Sequence, residues 1–217
     1  VITQTTVRHT TVYLVRHGES LLNREKRVSG QLDTSLSSNG IQKGQLLADR
    51  LRQVALTGIY TSALTRTIET ARLTAEHHGL PIQRTPELNE LHMGVLEGRF
   101  RDTRDPEASA IWQEHKKDKR HYRIPGGECF LDLAKRVKAS FGDILARENG
   151  GVILIVGHRN VNRALFGLLM HLPEIGWPDL DLKSRYVYQI MTEKQPRMNM
   201  VRLLAQTEDG ARTQPMV

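Results

Sequence analysis

At 217 residues, 39% of them hydrophobic and 25% charged, the chain has an ordinary globular composition and is long enough for one domain with a substantial core. Its net charge of +7 suits an anionic partner, but 5% aromatics and a single cysteine argue against base-stacking nucleic-acid binders and exclude cysteine-built zinc fingers. No apolar run approaches the roughly 18 residues of a membrane span, and a lone Cys129 rules out an intrachain disulfide, so a cytoplasmic setting is expected.

The first ten residues, VITQTTVRHT, read as a polar tail, with a single domain over 11–217. Val12, Tyr13, Leu14 and Val15 then form a strand-favouring run that stops on Arg16, His17 and Gly18. The stretch LSSNGIQKGQLLADRLRQVAL predicts a helix capped by Ser37 or Ser38, with Ile41, Leu47, Leu51 and Val54 at helical spacing. GIYTS is a short strand, and ALTRTIETARLTAEHHG a helix closed by Gly79. PIQRT fits an edge strand, since its leading proline cannot donate to a ladder.

The segment from about Gly94 to Gly127 breaks this rhythm. It is polar, and Arg99 to Arg123 holds eight Lys/Arg against five Asp/Glu. Such a basic insert reads as a lid or substrate-facing loop, or else as a solvated surface helix around Ile111 and Trp112. His77, His78, His115 and His121 stand in polar contexts and are expected in solvent. Beyond the insert, Leu133, Val137, Phe141 and Ile144 mark one apolar helix face. GVILIVG is the most strand-like run, apolar on both faces and therefore central, and it leads into a helix stopped near Pro173. RYVYQIM and MNMVRLL look like an antiparallel pair at one side.

Alternating strand and helix signals predict a three-layer α/β/α fold with a mostly parallel central sheet. In such sheets ligands bind outside the carboxyl ends of the strands. Three strands end on groups suited to a phosphate: the first on Arg16 and His17, GIYTS shortly before Arg66, and GVILIVG on His158. Arg66 stands near a helix N-terminus, which itself favours an anion. Two arginines and two histidines at one sheet edge repel each other unless an anion neutralises them, so the constellation asks for a phosphate.

These residues also carry a resemblance. LVRHGES with Asn23 and GQLDTSLSSNG, then YTSALTRTIETA, ELNELHMGVLEG, PGGE and VGHRNVNRAL resemble, in order, the motifs of the histidine phosphatase superfamily, the phosphoglycerate-mutase-like fold. The resemblance runs from Val12 to Leu204. It implies a phosphohistidine formed on His17, with Arg16, Arg66, His158 and Asn23 holding the phosphoryl oxygens. Glu90 would protonate the leaving oxygen and deprotonate the attacking water, and Arg163 would support the site. It implies no metal and no cofactor. One residue departs from the pattern: Arg159 follows His158 where many members carry glycine, and it becomes a candidate substrate contact.

The function expected is hydrolysis of a small phosphorylated, anionic metabolite. The alternatives are phosphoglycerate-mutase-type transfer and a non-catalytic module that binds phosphorylated ligands. The resemblance leaves the ester open among sugar phosphates, phosphoserine, α-ribazole phosphate and glucosyl-3-phosphoglycerate. No nucleic-acid or membrane partner is expected, and a homodimer is left open.

Overall fold

A computed structural model describes residues 9–192 and 196–202. Residues 1–8 of the expected polar tail, and Leu204, lie outside the described residues. Of the tail's last residues, Thr10 is buried, and its hydroxyl donates to the carbonyl of Glu148.

One six-stranded sheet organises the chain. Its strands are β1 (Thr11–Arg16), β2 (Gly58–Thr61), β3 (Ile82–Arg84), β4 (Val152–Gly157), β5 (Tyr186–Met191) and β6 (Arg197–Arg202). Across the sheet they run β3-β2-β4-β1-β5-β6. The first four are mutually parallel, and β5 and β6 add antiparallel. GVILIVG is thus central as β4, and PIQRT supplies the edge strand β3.

Alternation along the strands divides the core into two layers. Val12, Leu14, Tyr60, Ile153 and Ile155 point to one face, where Leu133, Val137, Phe141, Leu165 and Leu169 cover them. Those belong to α5 (Phe130–Arg147) and α6 (Arg159–Leu169). Tyr13, Val15, Ile59, Leu154 and Val156 point to the other face. There Leu47 and Leu51 of α2 (Ser38–Leu51) and Ala71 and Ala75 of α3 (Thr65–His78) complete the third layer. The expected α/β/α architecture is the one observed.

The helix ends follow their sequence signals. Ser37 caps α2 by accepting from the amide of Gly40 at 3.2 Å, and Gly79 ends α3 at φ +61°, a conformation glycine adopts without strain. The face of α2 differs from its reading. Ile41 is 54% exposed, and the buried stripe runs through Gly40, Gly44, Leu47 and Leu51, with Lys43 beside it. Gly40 lets α2 approach the loop after β1, and Gly44 lets it approach Thr70 of α3. A Cβ on Gly18 would stand 2.5 Å from the carbonyl oxygen of Gly40.

The basic segment is ordered around a helix, α4 (Pro106–Lys117), preceded by the four-residue α1 (Leu21–Arg24) in the loop after β1. Asp105 caps α4 through the amide of Ala108, and Arg99 ties its start by bonding both Asp105 and Glu107 at 2.7 Å. Ala108 is buried, and Ile111 and Trp112 pack against the core. His115 is buried too, beside Trp112 and Tyr122, which corrects its placement in solvent. His77 and His121 are exposed as expected, and His78 is half-buried. His115 continues the single stripe of Ala108, Ile111 and Trp112 at helical spacing, and its polar sequence neighbours lie on the exposed remainder of the helix, which is why polarity alone misplaced it. Among the described residues no helix is long and apolar enough to cross a membrane.

Candidate active site

Strand register builds the site. Arg16 pairs with Gly157 and Thr61 with Val156, so β1, β2 and β4 end nearly level. The residues one step beyond, His17 and His158, must therefore be neighbours. Their ring centroids lie 5.1 Å apart, and the amide of His17 continues the ladder to the carbonyl of Gly157 at 3.0 Å. Arg16, His17, Asn23, Arg66, Glu90 and Arg159 all line one cleft of about 720 Å³. His158 stands behind it, fully buried, and lines a smaller adjoining cavity of about 180 Å³ with Arg16, Arg159 and Arg163.

The state of His17 follows from one hydrogen bond. Its Nδ1 is 2.6 Å from the carbonyl oxygen of Gly18, and a carbonyl can only accept. Nδ1 therefore carries the proton. Burial first, then the charges of Arg16 and Arg66, hold the ring well below the usual imidazole range, and the Gly18 bond opposes this only in part. A neutral imidazole protonated at Nδ1 has its free lone pair on Nε2. Gly18 is itself fixed, because its amide donates to Thr70 Oγ1 at 2.9 Å.

His158 is held from the opposite ring nitrogen. Its Nε2 lies 2.8 Å from Ser62 Oγ, which accepts from the amide of Leu64 and touches Thr67 Oγ1. Its Nδ1 is buried with no hydrogen-bond partner among the described residues. Burial, then Arg66, His17 and Arg16, keep this ring neutral as well.

Arg66 is 1% exposed at the start of α3. Its terminal nitrogens donate to the carbonyls of Leu32 and Gly30 at 3.0 and 2.7 Å, while Nε has no partner among the described residues. Asp33 fastens the same loop to α3 by accepting from the amide of Thr65 at 2.8 Å. Burial, then Arg159, lowers Arg16 to about 10, still charged at neutral pH. Asn23 closes a capping box with Ser20 and donates from Nδ2 to Ser29 Oγ.

Glu90 receives the amides of Leu91 at 2.8 Å and of Asn160, in the first turn of α6, at 3.2 Å. Its backbone is gripped from two sides. Gln31 donates to the Glu90 carbonyl, and Arg136 of α5 donates to the carbonyls of Glu87, Asn89 and Glu90 while forming a two-pronged pair with Glu128. Arg163 bonds the carbonyl of Leu180 and the side chain of Asn160.

Two parts of this arrangement escaped the sequence reading. Lys43 reaches the carbonyls of Arg16 and His17 at 2.5 and 3.3 Å and lines the cleft. Burial, then Arg16, brings its ammonium down to about 7. The signal was available: a lysine flanking the buried stripe of α2 needs a polar partner. Arg136 gave no such sign, since it sits on α5 among other charged positions. Among the described residues, no group of three His, Cys, Asp or Glu side chains is placed to hold a metal ion.

Chemically, the cleft presents a neutral nucleophile, fixed cations around it and a carboxyl group held at its edge. The profile of the histidine phosphatase superfamily (branch 1) matches residues 12–203. A Yersinia pestis protein named "Probable phosphoglycerate mutase GpmB" is 35% identical over 185 residues, covering 85% of this chain and 86% of its own. The structure of the α-ribazole phosphatase from Shigella flexneri is similar, with a TM-score of 0.80 at 27% identity over 92% of this chain and all of the other. A mycobacterial glucosyl-3-phosphoglycerate phosphatase superposes with a TM-score of 0.77 at 25% identity, covering 90% and 99%.

Proposed function

Because the chain belongs to the histidine phosphatase superfamily, we propose that it hydrolyses small phosphomonoesters through a phosphohistidine on His17. The observation that carries this reading is the His17–Gly18 hydrogen bond, which leaves the Nε2 lone pair free beside Arg16 and Arg66. Nε2 attacks phosphorus, the P–O ester bond breaks, and the carboxyl of Glu90 gives its proton to the departing oxygen. Water then attacks the phosphohistidine, Glu90 takes a proton back, and inorganic phosphate leaves with His17 neutral again.

Arg16 and Arg66 bind the oxygens of the transferring group, where charge spreads in the transition state. His158 donates from Nδ1, the nitrogen that Ser62 leaves free, and Asn23 adds a hydrogen bond. The α-ribazole and glucosyl-3-phosphoglycerate phosphatases support hydrolysis, and the filled catalytic positions stand against a purely binding module. A cytoplasmic setting belongs to the proposal and rests on the single, buried cysteine.

The experiment is a quench of the protein with a radiolabelled phosphomonoester, beside His17→Ala. Acid-labile, alkali-stable phosphate should appear on the wild type only, with turnover lost in the variant. Wild-type rates in His17→Ala would sink the reading. The name of the Yersinia relative makes transfer the competing outcome. With 3-phosphoglycerate and its bisphosphate supplied, free phosphate should exceed 2-phosphoglycerate.

A further inference from the structure

The phosphoryl site uses only part of the positive charge in its cleft. Eleven Lys/Arg residues line that cavity against two carboxylates, Glu19 and Glu90. Some of the cations are already paired, Arg27 with Glu25 and Lys119 with Asp179. Arg159, Arg101 and Arg163 form no ion pair among the described residues. Arg101, from the insert, lies over the Trp112 ring at 4.9 Å, so its guanidinium is steered rather than neutralised. Arg163 spends its bonds on a carbonyl and an amide oxygen. Arg159 is exposed to the cleft, and it repels Arg16, Arg101 and Arg163 alike. The nearby carboxylates are engaged elsewhere: Asp181 pairs with Lys183, and Glu90 takes backbone amides.

We propose that Arg159, with Arg101 and Arg163, forms a second oxyanion subsite beside the phosphoryl site, so that the substrate is a phosphomonoester bearing a second acidic group. The inference rests on the proposed phosphatase reading for where the ester phosphate sits. Guanidinium groups suit this role because their planar forks match carboxylate and phosphate oxygens. Three of them without an ion-pair partner among the described residues repel one another more than Asp102, Asp179 or Asp181, each paired with another cation, can offset, until an anion arrives. The subsite also gives the insert a function: Arg101 reaches the substrate from α4's side of the cleft while Arg159 and Arg163 reach it from α6.

The test uses three probes of matched length: 1,3-propanediol monophosphate, its bisphosphate, and 3-phosphonooxypropanoate. Each is titrated calorimetrically into His17→Ala protein, which cannot turn them over, and separately offered to wild type for phosphate release. The two probes with a second acid should bind roughly 10- to 100-fold more tightly than the monophosphate, the range of hydrogen bonds to charged groups. In His17→Ala/Arg159→Gln that advantage should fall to within about threefold, with Arg159→Lys between. A gain for the bisphosphate alone identifies the second group as phosphate, and a gain for both identifies any oxyanion.

Arg27→Gln removes a cation of the same cleft that is paired with Glu25, and it should keep the advantage. Equal losses in Arg27→Gln and Arg159→Gln would assign the effect to the overall field and overturn the subsite. So would equal affinity for all three probes in the parent protein. If wild type releases phosphate from none of the probes, the phosphatase reading fails, while the binding order still decides the subsite.

Discussion

Lys43 Nζ lies 2.5 Å from the carbonyl oxygen of Arg16, directly behind the residue that carries the proposed nucleophile. A buried ammonium beside an arginine is costly in its charged form, and its value falls to about 7. A lysine depressed in the fold contributes stability that is fully present above its ordinary value and is lost as pH falls through the folded one. Neutral Lys43 still has two N–H groups for the carbonyls of Arg16 and His17, so deprotonation keeps both bonds. Wild type should therefore gain resistance to urea, relative to Lys43→Met, as pH rises from about 7 towards about 10. Parallel pH dependences in phosphate-free buffer would remove Lys43 as the source.

Arg136 predicts a different signature, because it touches no substrate and acts through the loop of Glu90. Arg136→Met takes the side-chain donor from the carbonyls of Glu87 and Asn89, while Gln31 still serves the Glu90 carbonyl and the His92 amide still serves Glu128, a loss of about 1–3 kcal/mol where a group left unpaired is buried. If its role is to position Glu90, kcat should fall more for alkyl than for aryl phosphates, at little change in KM. A loss equal for both ester types would make the residue merely structural.

What the sequence allowed, and what it did not, follows from where each contact lies. The strands and their carboxyl-end residues were legible because β1, β2 and β4 combine apolar runs with abrupt polar ends, and parallel register then forces His17 and His158 together. Ile41 misled because it is apolar but stands six residues before Leu47, off the i, i+4, i+7 row that Gly40, Gly44, Leu47 and Leu51 share. Gly40 and Gly44 hold the buried stripe, since Gly40 lets α2 press against the loop at Gly18 and Gly44 lets it press against Thr70 of α3. The grip of Arg136 on Glu87, Asn89 and Glu90 joins segments more than forty positions apart, and local pattern carries no trace of it.

Chelation should leave activity intact. In the proposed mechanism Arg16 and Arg66 take the electrostatic role that a metal fills in other phosphatases. Phosphate release after dialysis against excess EDTA should match the untreated rate within about twofold, the scatter expected between preparations rather than the roughly hundredfold loss of a key electrostatic contact. Loss on chelation with recovery on adding a divalent cation would contradict that role.

Glu90→Gln separates leaving-group protonation from the rest of catalysis. Glutamine keeps the size of the side chain and an oxygen for the amides of Leu91 and Asn160, but it cannot deliver a proton. An alkyl phosphate departs as a poor alkoxide, so its phosphorylation step should slow by the roughly 10²–10⁴-fold typical of general acid catalysis. A p-nitrophenyl phosphate departs as a stable phenolate and should lose far less in that step. Burst or single-turnover kinetics are needed, because in the proposed mechanism Glu90 also activates water in the second step, which would slow both substrates there alike. Equal losses in the first step would move the acid's role elsewhere. Glu97, the neighbouring glutamate of the same segment, accepts the amides of Gln31 and Met93 and does not line the cleft as Glu90 does, so Glu97→Gln should leave the leaving-group preference unchanged.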